Sequence, residues 1–266
     1  MKKYFTVFAV SWQNEFVYRL NFILWRFRNV LRLLMTYFLW RGIFVYNRSI
    51  FGYTGPEMLT YVFFVLVVQA IVLSAPSADN IGGEIGSGDL SNYLVKPVSY
   101  LRYWFTRDMA SKLLNIFFSF VEIFILWFLL RPHLVIPSQM LSVAGFITGC
   151  ISAVIIYFLL EASNRFIAFW TPENTWGLSF LVIILIEILG GGMFPLDILP
   201  GPARIALELT PFPYLVYYPV AIILGKITGW NLVRILFQSA VWCLLLFVVT
   251  KFVWHKGLKV YAATGK

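Results

Sequence analysis

Residues 79–112 read DNIGGEIGSGDLSNYLVKPVSYLRYWFTRDMASK, and they form the longest polar, glycine-bearing stretch of an otherwise apolar 266-residue chain. The stretch contains four of the 12 acidic residues, which are Asp79, Glu84, Asp89 and Asp108. Apolar runs that approach the length needed to cross a bilayer lie on both sides of it. We therefore expect residues 79–112 to form a loop between two membrane spans that contacts something in the aqueous phase.

The bulk composition indicates the class of protein. The chain is 60% hydrophobic and 12% charged, with a mean hydropathy of +0.80, whereas soluble domains carry about 25% charged residues. This apolarity predicts a single membrane domain over residues 1–266, with no room for a large soluble domain. The net charge of +9 is typical of a membrane protein with basic cytoplasmic loops. Nucleic-acid binding is not expected, because it requires a basic patch on a soluble surface.

The apolar runs predict an all-α integral membrane protein with six transmembrane helices. The predicted spans cover residues 22–46, 58–75, 113–130, 140–160, 176–189 and 232–253. Residues 1–21 precede the first span and place Phe5, Phe8 and Trp12 on one helical face, with Asn14 opposite. This amphipathic pattern favours a helix lying in the membrane interface, and packing against the protein's own helices is the alternative.

Residues 193–229 do not fit any spanning helix. They contain six prolines and several apolar clusters that are each too short to cross a bilayer. Broken helices at membrane depth are tolerated where protein or a cavity surrounds them. We therefore predict that residues 193–229 form a re-entrant helical hairpin between spans five and six.

The distribution of basic residues predicts the orientation. With a cytoplasmic N-terminus, all but six of the 21 Lys and Arg residues fall on the cytoplasmic side. The six on the outer side are Arg41, Arg48, Arg131, Arg204, Lys226 and Arg234. The positive-inside rule then places both termini and residues 79–112 in the cytoplasm, and residues 193–229 outside.

Two carboxylates, Glu122 and Glu187, fall inside predicted spans, and Arg26, Arg28 and Arg32 crowd the start of the first span. Charged groups in hydrocarbon are costly and are usually paired or functional. We expect an arginine of this group to pair with Glu122 or Glu187 and join helices. A role in conformational switching and a contact with cargo remain alternatives.

The sequence contains little material for catalysis. It has no GxxxxGK[ST] nucleotide-binding motif and only two histidines, His133 and His255, which lie far apart in the sequence. Its two cysteines, Cys150 and Cys243, fall inside predicted spans. We therefore expect no catalytic residue, no metal and no cofactor in this chain. A proton-coupled carrier using Glu122 and Glu187, and a membrane-embedded enzyme, are the alternatives to a transport subunit.

Three segments resemble bacterial ABC transporter type-2 permeases, in the subgroup with a long N-terminal interfacial helix. The first is IGGEIGSGDLSNYLVKPVS, residues 81–99, which matches the cytoplasmic loop after span two. The matching residues are Ile81, Glu84, Ile85, Gly88, Asp89, Leu90, Leu94, Lys96 and Pro97. The others are GGGMFPLDILP, which begins at Gly190, and the early Tyr18-Arg19-Leu20-Asn21.

The resemblance implies a transmembrane subunit of an ATP-driven exporter in the bacterial plasma membrane. It would work as a dimer with a second copy or a paralogue, and the loop after span two would bind separate ATP-binding subunits that hold ATP and Mg²⁺. The resemblance also implies an external gate in the proline-rich segment. Its expected residues are Phe194, Pro195, Pro200, Pro211 and Phe212.

Overall fold

The computed structural model describes residues 2–15, 19–46, 48–74, 79–135 and 139–261. The predicted motif residue Tyr18 lies outside them, as does part of the predicted interfacial helix 1–21. The helices are α1 Lys2–Glu15, α2 Arg19–Ile43, α3 Gly55–Val72, α4 Asp79–Gly86, α5 Ser91–Leu94, α6 Tyr100–Leu130, α7 Met140–Arg165, α8 Thr175–Leu189, α9 Gly201–Glu208, α10 Tyr217–Ile223 and α11 Gly229–Val260. A two-stranded antiparallel hairpin pairs β1 Ser49–Ile50 with β2 Tyr53–Thr54.

Helix α3 forms the centre of the domain. It begins where the Glu57 carboxylate accepts hydrogen bonds from the backbone and side chain of Thr54, both at 2.8 Å, which satisfies groups that a helix start leaves unpaired. In its most apolar window 61% of the residues are buried, against 22% in α6 and in α11. The protein core therefore surrounds α3, and α6 and α11 turn most of their apolar surface outward, as helices in a bilayer do.

The predicted all-α membrane class is confirmed, because four helices within the described residues are long and apolar enough to cross a membrane. They are Gly55–Val72, Tyr100–Leu130, Met140–Phe169 and Gly229–Val260. The predicted count of six spans also needs α2, which carries several arginines, and α8, which has 15 residues. At about 1.5 Å per residue, α8 is shorter than the roughly 30 Å hydrocarbon core.

The loop after α3 is shorter than the predicted 79–112, because α6 already begins at Tyr100. Polar residues of the predicted loop serve contacts inside the protein. Lys112 Nζ donates hydrogen bonds to the carbonyls of Val72 and Ser74, each at 2.6 Å, and lies 3.5 Å from the buried Asp108 carboxylate. Lys112 thus caps the C-terminal end of α3, where cationic donors are favoured.

The proline-rich segment contains two short helices of opposite character. No residue of α9 is buried, whereas every residue of α10 is buried, chiefly against α7 and α3. The 3₁₀ helices Leu196–Ile198 and Phe212–Tyr214 connect them to the preceding chain. A run too short to span can therefore lie inside the domain, because protein surrounds its backbone; the depth to which it enters a bilayer remains a prediction.

Helix α1 packs along α6. Its apolar residues divide between this contact and the surface, since Phe5 is 75% exposed while Phe8 and Trp12 are half-buried. At its start, Lys3 donates a hydrogen bond to the carbonyl of Pro97. The alternative of packing against the protein's own helices therefore describes one face of α1, and its other face is free to meet a membrane surface.

Candidate functional site

In the loop between α3 and α6, some of the residues that were predicted to contact an ATP-binding subunit point into the protein. Ile81 and Leu90 are fully buried and Ile85 is 5% exposed. Helix α4 packs against α7 and the 3₁₀ helix Phe166–Phe169. These three side chains thus fasten the loop to the membrane domain and leave other residues to face water.

The part of the loop that faces water lies between residues 87 and 97, which we call the exposed tip. Its exposed side chains are Ser87, Asp89, Asn92, Leu94, Val95, Lys96 and Pro97. Val95 is 84% exposed and Leu94 48% exposed. An apolar pair flanked by a carboxylate and an ammonium group suits contact with another protein, whose interfaces combine an apolar centre with a polar rim.

Glu84 is directed toward its own chain. Its carboxylate accepts hydrogen bonds from the hydroxyls of Tyr93 at 2.9 Å and Tyr100 at 2.6 Å, and from the indole N–H of Trp104 at 3.2 Å. Burial, a hydrogen bond with Tyr103 and the nearby Glu84 charge raise the pKa of Tyr93 well above its usual value, so Tyr93 remains a neutral donor. Glu84 therefore holds the tip against the start of α6.

A second connection joins the tip to the end of α11. The Tyr261 hydroxyl donates to the carbonyl of Gly88 at 2.7 Å and accepts from the backbone N–H of Ser91 at 3.2 Å. Gly88 has a φ of +86°, a conformation that side-chain-bearing residues rarely adopt. Nearby, the rings of Tyr100 and Trp254 stack with centroids 5.1 Å apart. The tip is thereby joined to both α6 and α11.

Within the membrane domain, Arg26 of α2 lies against α6. Its guanidinium is 3.2 Å from the Glu122 carboxylate and donates hydrogen bonds to Ser119 Oγ at 2.6 Å and Asn115 Oδ1 at 2.7 Å. Arg26 is only 7% exposed. With the backbone carbonyl of Asn115, which also accepts from this guanidinium, four polar groups compensate one buried charge, as a guanidinium removed from water requires.

A second charge cluster lies where α2, α3 and α8 meet. The Arg32 guanidinium is 2.9 Å from Glu187 and also donates to Gln69 Oε1. These residues and Arg28 line a cavity of about 290 Å³. The structure therefore pairs each of the two predicted intramembrane carboxylates with a different arginine of α2, and it places Arg28 beside the second pair.

The proline-rich segment 193–229 and the glycine turn before it are joined to α3 and to the β-hairpin that precedes α3. The Tyr61 hydroxyl donates to the carbonyl of Gly191 at 2.5 Å, and the Tyr53 hydroxyl donates to Asp197 at 2.8 Å. Burial and the Asp197 charge raise the pKa of Tyr53 well above its usual value, which keeps it a donor. Of the expected gate residues, Pro195 is buried, Phe194, Pro211 and Phe212 are half-buried, and Pro200 is exposed.

The family model for ABC-2 family transporter proteins matches residues 30–265. The chain belongs to this family. No curated protein and no solved structure matches the chain. The ABC-2 match covers both charge clusters apart from Arg26 and Arg28, the whole exposed tip and the proline-rich segment.

As an ABC-2 family member, the protein is a multi-pass permease subunit of an ABC transporter. Permeases of this family are transmembrane subunits that do not themselves catalyse a reaction, and they generally work with an ATP-binding subunit. Within the described ranges, no group of three or more His, Cys, Asp and Glu residues is arranged to hold a metal ion.

Several residues that shape the site of this ABC-2 permease were absent from the sequence prediction. Tyr100 and Trp104 lie in the quoted polar stretch, yet their contacts with Glu84 depend on α6 starting early. Tyr261 is separated from Gly88 by most of the chain. No local pattern indicates such a contact, and covariation among related sequences is the signal that could reveal it.

Proposed function

We propose that two copies of this permease, or one copy and a paralogue, form the membrane pathway of an ATP-driven exporter. Separate ATP-binding subunits, which hold ATP and Mg²⁺, would bind the exposed tip of each permease. The tip would then lie in the cytoplasm, with both termini on the same side of a bacterial plasma membrane. The distribution of basic residues supports this orientation.

The observation that carries the proposal is the double attachment of the tip. Glu84 joins it to α6, and Tyr261 joins it to α11. A docking surface fixed to two long helices can transmit a displacement, whereas a flexible loop would absorb it. Closure of two ATP-binding subunits would therefore pull or push α6 and α11 as units, and the pathway would open between the permeases.

The two intramembrane ion pairs have a structural part in this proposal. Arg26 and Glu122 would fix α2 to α6, and Arg32 and Glu187 would fix α2 to α8. The first contact would move α2 together with α6, which the tip drives, and the second would pass this movement on to α8. Since Arg32 and Glu187 have side-chain exposures of 41% and 24%, this second pair is also the better candidate for a contact that changes during transport.

The outer segment would act as the gate at the far end of the pathway. Its half-buried aromatic residues Phe194 and Phe212, and the buried Pro195, lie on a segment that Tyr53 and Tyr61 fasten to α3. A movement of α3 would therefore reach the segment directly. The re-entrant depth of residues 193–229 in the outer leaflet is part of this proposal.

The proposal is tested by purifying the permease with its ATP-binding subunit and reconstituting both in liposomes. ATP hydrolysis should rise when the permease is present, and a Leu94→Asp/Val95→Asp variant should lose this rise together with co-purification. Stimulation that persists in a permease variant lacking residues 87–97 would contradict the proposal. Transport that follows the proton gradient and continues without ATP would instead support the proton-coupled carrier.

A further inference from the structure

A basic pocket lies at the end of the domain opposite α4 and α5. It has a volume of about 410 Å³ and lies where α2 ends, α3 begins and α6 ends. The lining residues are Tyr37, Trp40, Arg41, Phe44, Val45, Gly55, Pro56, Leu59, Leu130, Arg131, Pro132 and His133. We call this cavity the basic pocket. Because α3 and α6 are candidate membrane spans, their ends place the pocket at a membrane–water interface.

The charged side chains that line the basic pocket are both cationic. They are Arg41 and Arg131, His133 lies beside them, and none of the described residues that line the pocket is acidic. The guanidinium of Arg131 lies over the Phe128 ring, 5.8 Å from its centroid. Part of the lining is aromatic, and its Tyr37 and Trp40 are 2% and 6% exposed. A cavity lined by two arginines is suited to an anion such as a phosphate, which arginine binds through paired N–H donors.

An apolar groove begins about one helical turn further into the membrane. It has a volume of about 440 Å³ and is lined by Phe63, Phe64, Val67, Phe120, Ile123, Phe124, Trp127 and Leu134. Leu59 of the pocket and Phe63 of the groove are four residues apart on α3, and Leu130 and Trp127 are three apart on α6. Residues at these spacings share a helix face and are separated by about 5 Å along the axis.

We propose that the basic pocket and the apolar groove together bind a phospholipid with an anionic headgroup. The phosphate would contact Arg41 and Arg131, and one acyl chain would lie in the groove between α3 and α6. The pocket is surrounded by exposed apolar residues, among them Val45 at 66% and Leu129 at 69%. That surrounding favours an amphiphile from the bilayer over a free anion from water. The inference does not depend on the proposed coupling to ATP.

The test uses the full chain in nanodiscs or detergent and native mass spectrometry with added lipids. Dioleoyl phosphatidylglycerol should bind about tenfold more tightly than dioleoyl phosphatidylcholine, because both lipids carry the phosphodiester but the choline cation would lie close to the like charges of Arg41 and Arg131. Dihexanoyl phosphatidylglycerol, which has the same headgroup and short chains, should bind more weakly than the dioleoyl lipid. Inorganic phosphate at millimolar concentration should leave the dioleoyl lipid bound.

Two sets of variants separate the pocket from general charge. Arg41→Gln/Arg131→Gln should remove the preference for phosphatidylglycerol, while Arg41→Lys/Arg131→Lys should keep most of it. Arg48→Gln, a change at an exposed arginine outside the pocket, serves as the matched control and should bind like wild type. Equal binding of both headgroups by the wild type, or an unchanged preference in the Gln double variant, overturns the proposal. Displacement of the lipid by inorganic phosphate would overturn the lipid assignment.

Discussion

The Tyr261 hydroxyl lies 2.7 Å from the carbonyl oxygen of Gly88, so the end of α11 holds the turn between α4 and α5. The two residues are distant in sequence and belong to the last long helix and to the loop after α3. Their contact connects the surface proposed to bind an ATP-binding subunit with a helix that crosses the membrane. Together with the contacts of Glu84, it makes the exposed tip part of the domain.

Removal of the Tyr261 hydroxyl should loosen this connection without unfolding the protein. In Tyr261→Phe the ring remains, and the contacts with Gly88 and Ser91 are lost, which costs about 0.5–1.5 kcal/mol. Amide hydrogen exchange in residues 84–94 should increase, and stimulation of ATP hydrolysis should fall several-fold. Tyr46→Phe, at a residue 91% exposed, is the control. Unchanged exchange and stimulation in Tyr261→Phe would show that the contact has no part in coupling.

Substitutions at Glu84 and at Asp89 should impair coupling in different ways. Glu84→Gln keeps an acceptor for Tyr100 and should be mild, whereas Glu84→Lys directs a cation at three donors and should disorder the loop. Asp89→Lys alters an exposed charge whose intramolecular hydrogen bond comes from Ser87 at 2.6 Å. It should weaken binding of the ATP-binding subunit while exchange across α4 stays at the wild-type rate. Limited proteolysis and co-purification distinguish the two effects, and equal proteolytic sensitivity of the two Lys variants would contradict this separation.

The Arg26–Glu122 pair should show strong coupling in a double-variant cycle. Loss of one partner leaves the other charge in an apolar setting without its counter-ion, which costs about 3–5 kcal/mol in buried pairs. Arg26→Leu alone and Glu122→Leu alone should therefore each lower the thermal midpoint by several degrees. The double variant should recover part of that loss.

The half-exposed pair Arg32–Glu187 supplies the comparison for this cycle. Its coupling should be smaller, because solvent or lipid headgroups can screen it. The thermal midpoint of each variant in detergent, monitored by size-exclusion chromatography, gives the coupling energy of both cycles. Additive losses at Arg26 and Glu122 would mean that the 3.2 Å contact contributes no coupling energy.

Close packing between α11 and the 3₁₀ helix Phe166–Phe169 should make Gly257 intolerant of substitution. A Cβ atom at this position would lie 2.1 Å from the Phe169 ring, so the ring or the helix must shift, which costs about 1–3 kcal/mol. Gly177→Ala is the matched control, because nothing lies within 4 Å of its added Cβ. A lower thermal midpoint in Gly257→Ala alone is the expected result, and equal midpoints in both variants would contradict this packing.

Composition and apolar periodicity predicted much of the fold. The membrane class follows from the cost of exposing apolar helices to water, and the need to pair charges in hydrocarbon suggested that an arginine of the first span would pair with Glu122 or Glu187. The particular partners could not be predicted, since helix rotation and depth decide them. Arg26 and Arg32 are six residues apart and point toward different helices.

The predicted loop 79–112 ended too late in the sequence, since α6 begins at Tyr100, and the reason is related. Asp108 and Lys112 carry charges that indicate solvent in a sequence, yet both are buried in the structure. Lys112 compensates its burial by capping the end of α3, a contact between distant segments. Similarly, the sequence predicted that Glu84 contacts the ATP-binding subunit. Its carboxylate instead accepts hydrogen bonds from three donors of its own chain, and two of them are brought close only because α6 begins at Tyr100. In each case a tertiary partner changed what a polar residue does.

The central claim is that the exposed tip binds an ATP-binding subunit. The most direct measurement is a site-specific crosslink from Val95, introduced as Val95→Cys with a short bifunctional reagent, in membranes that contain the permease and its ATP-binding subunit. A crosslinked product of the two chains should form at Val95→Cys and should be absent at Tyr46→Cys on the opposite membrane face. A product at Tyr46→Cys, or none at Val95→Cys while the two proteins co-purify, would contradict the account.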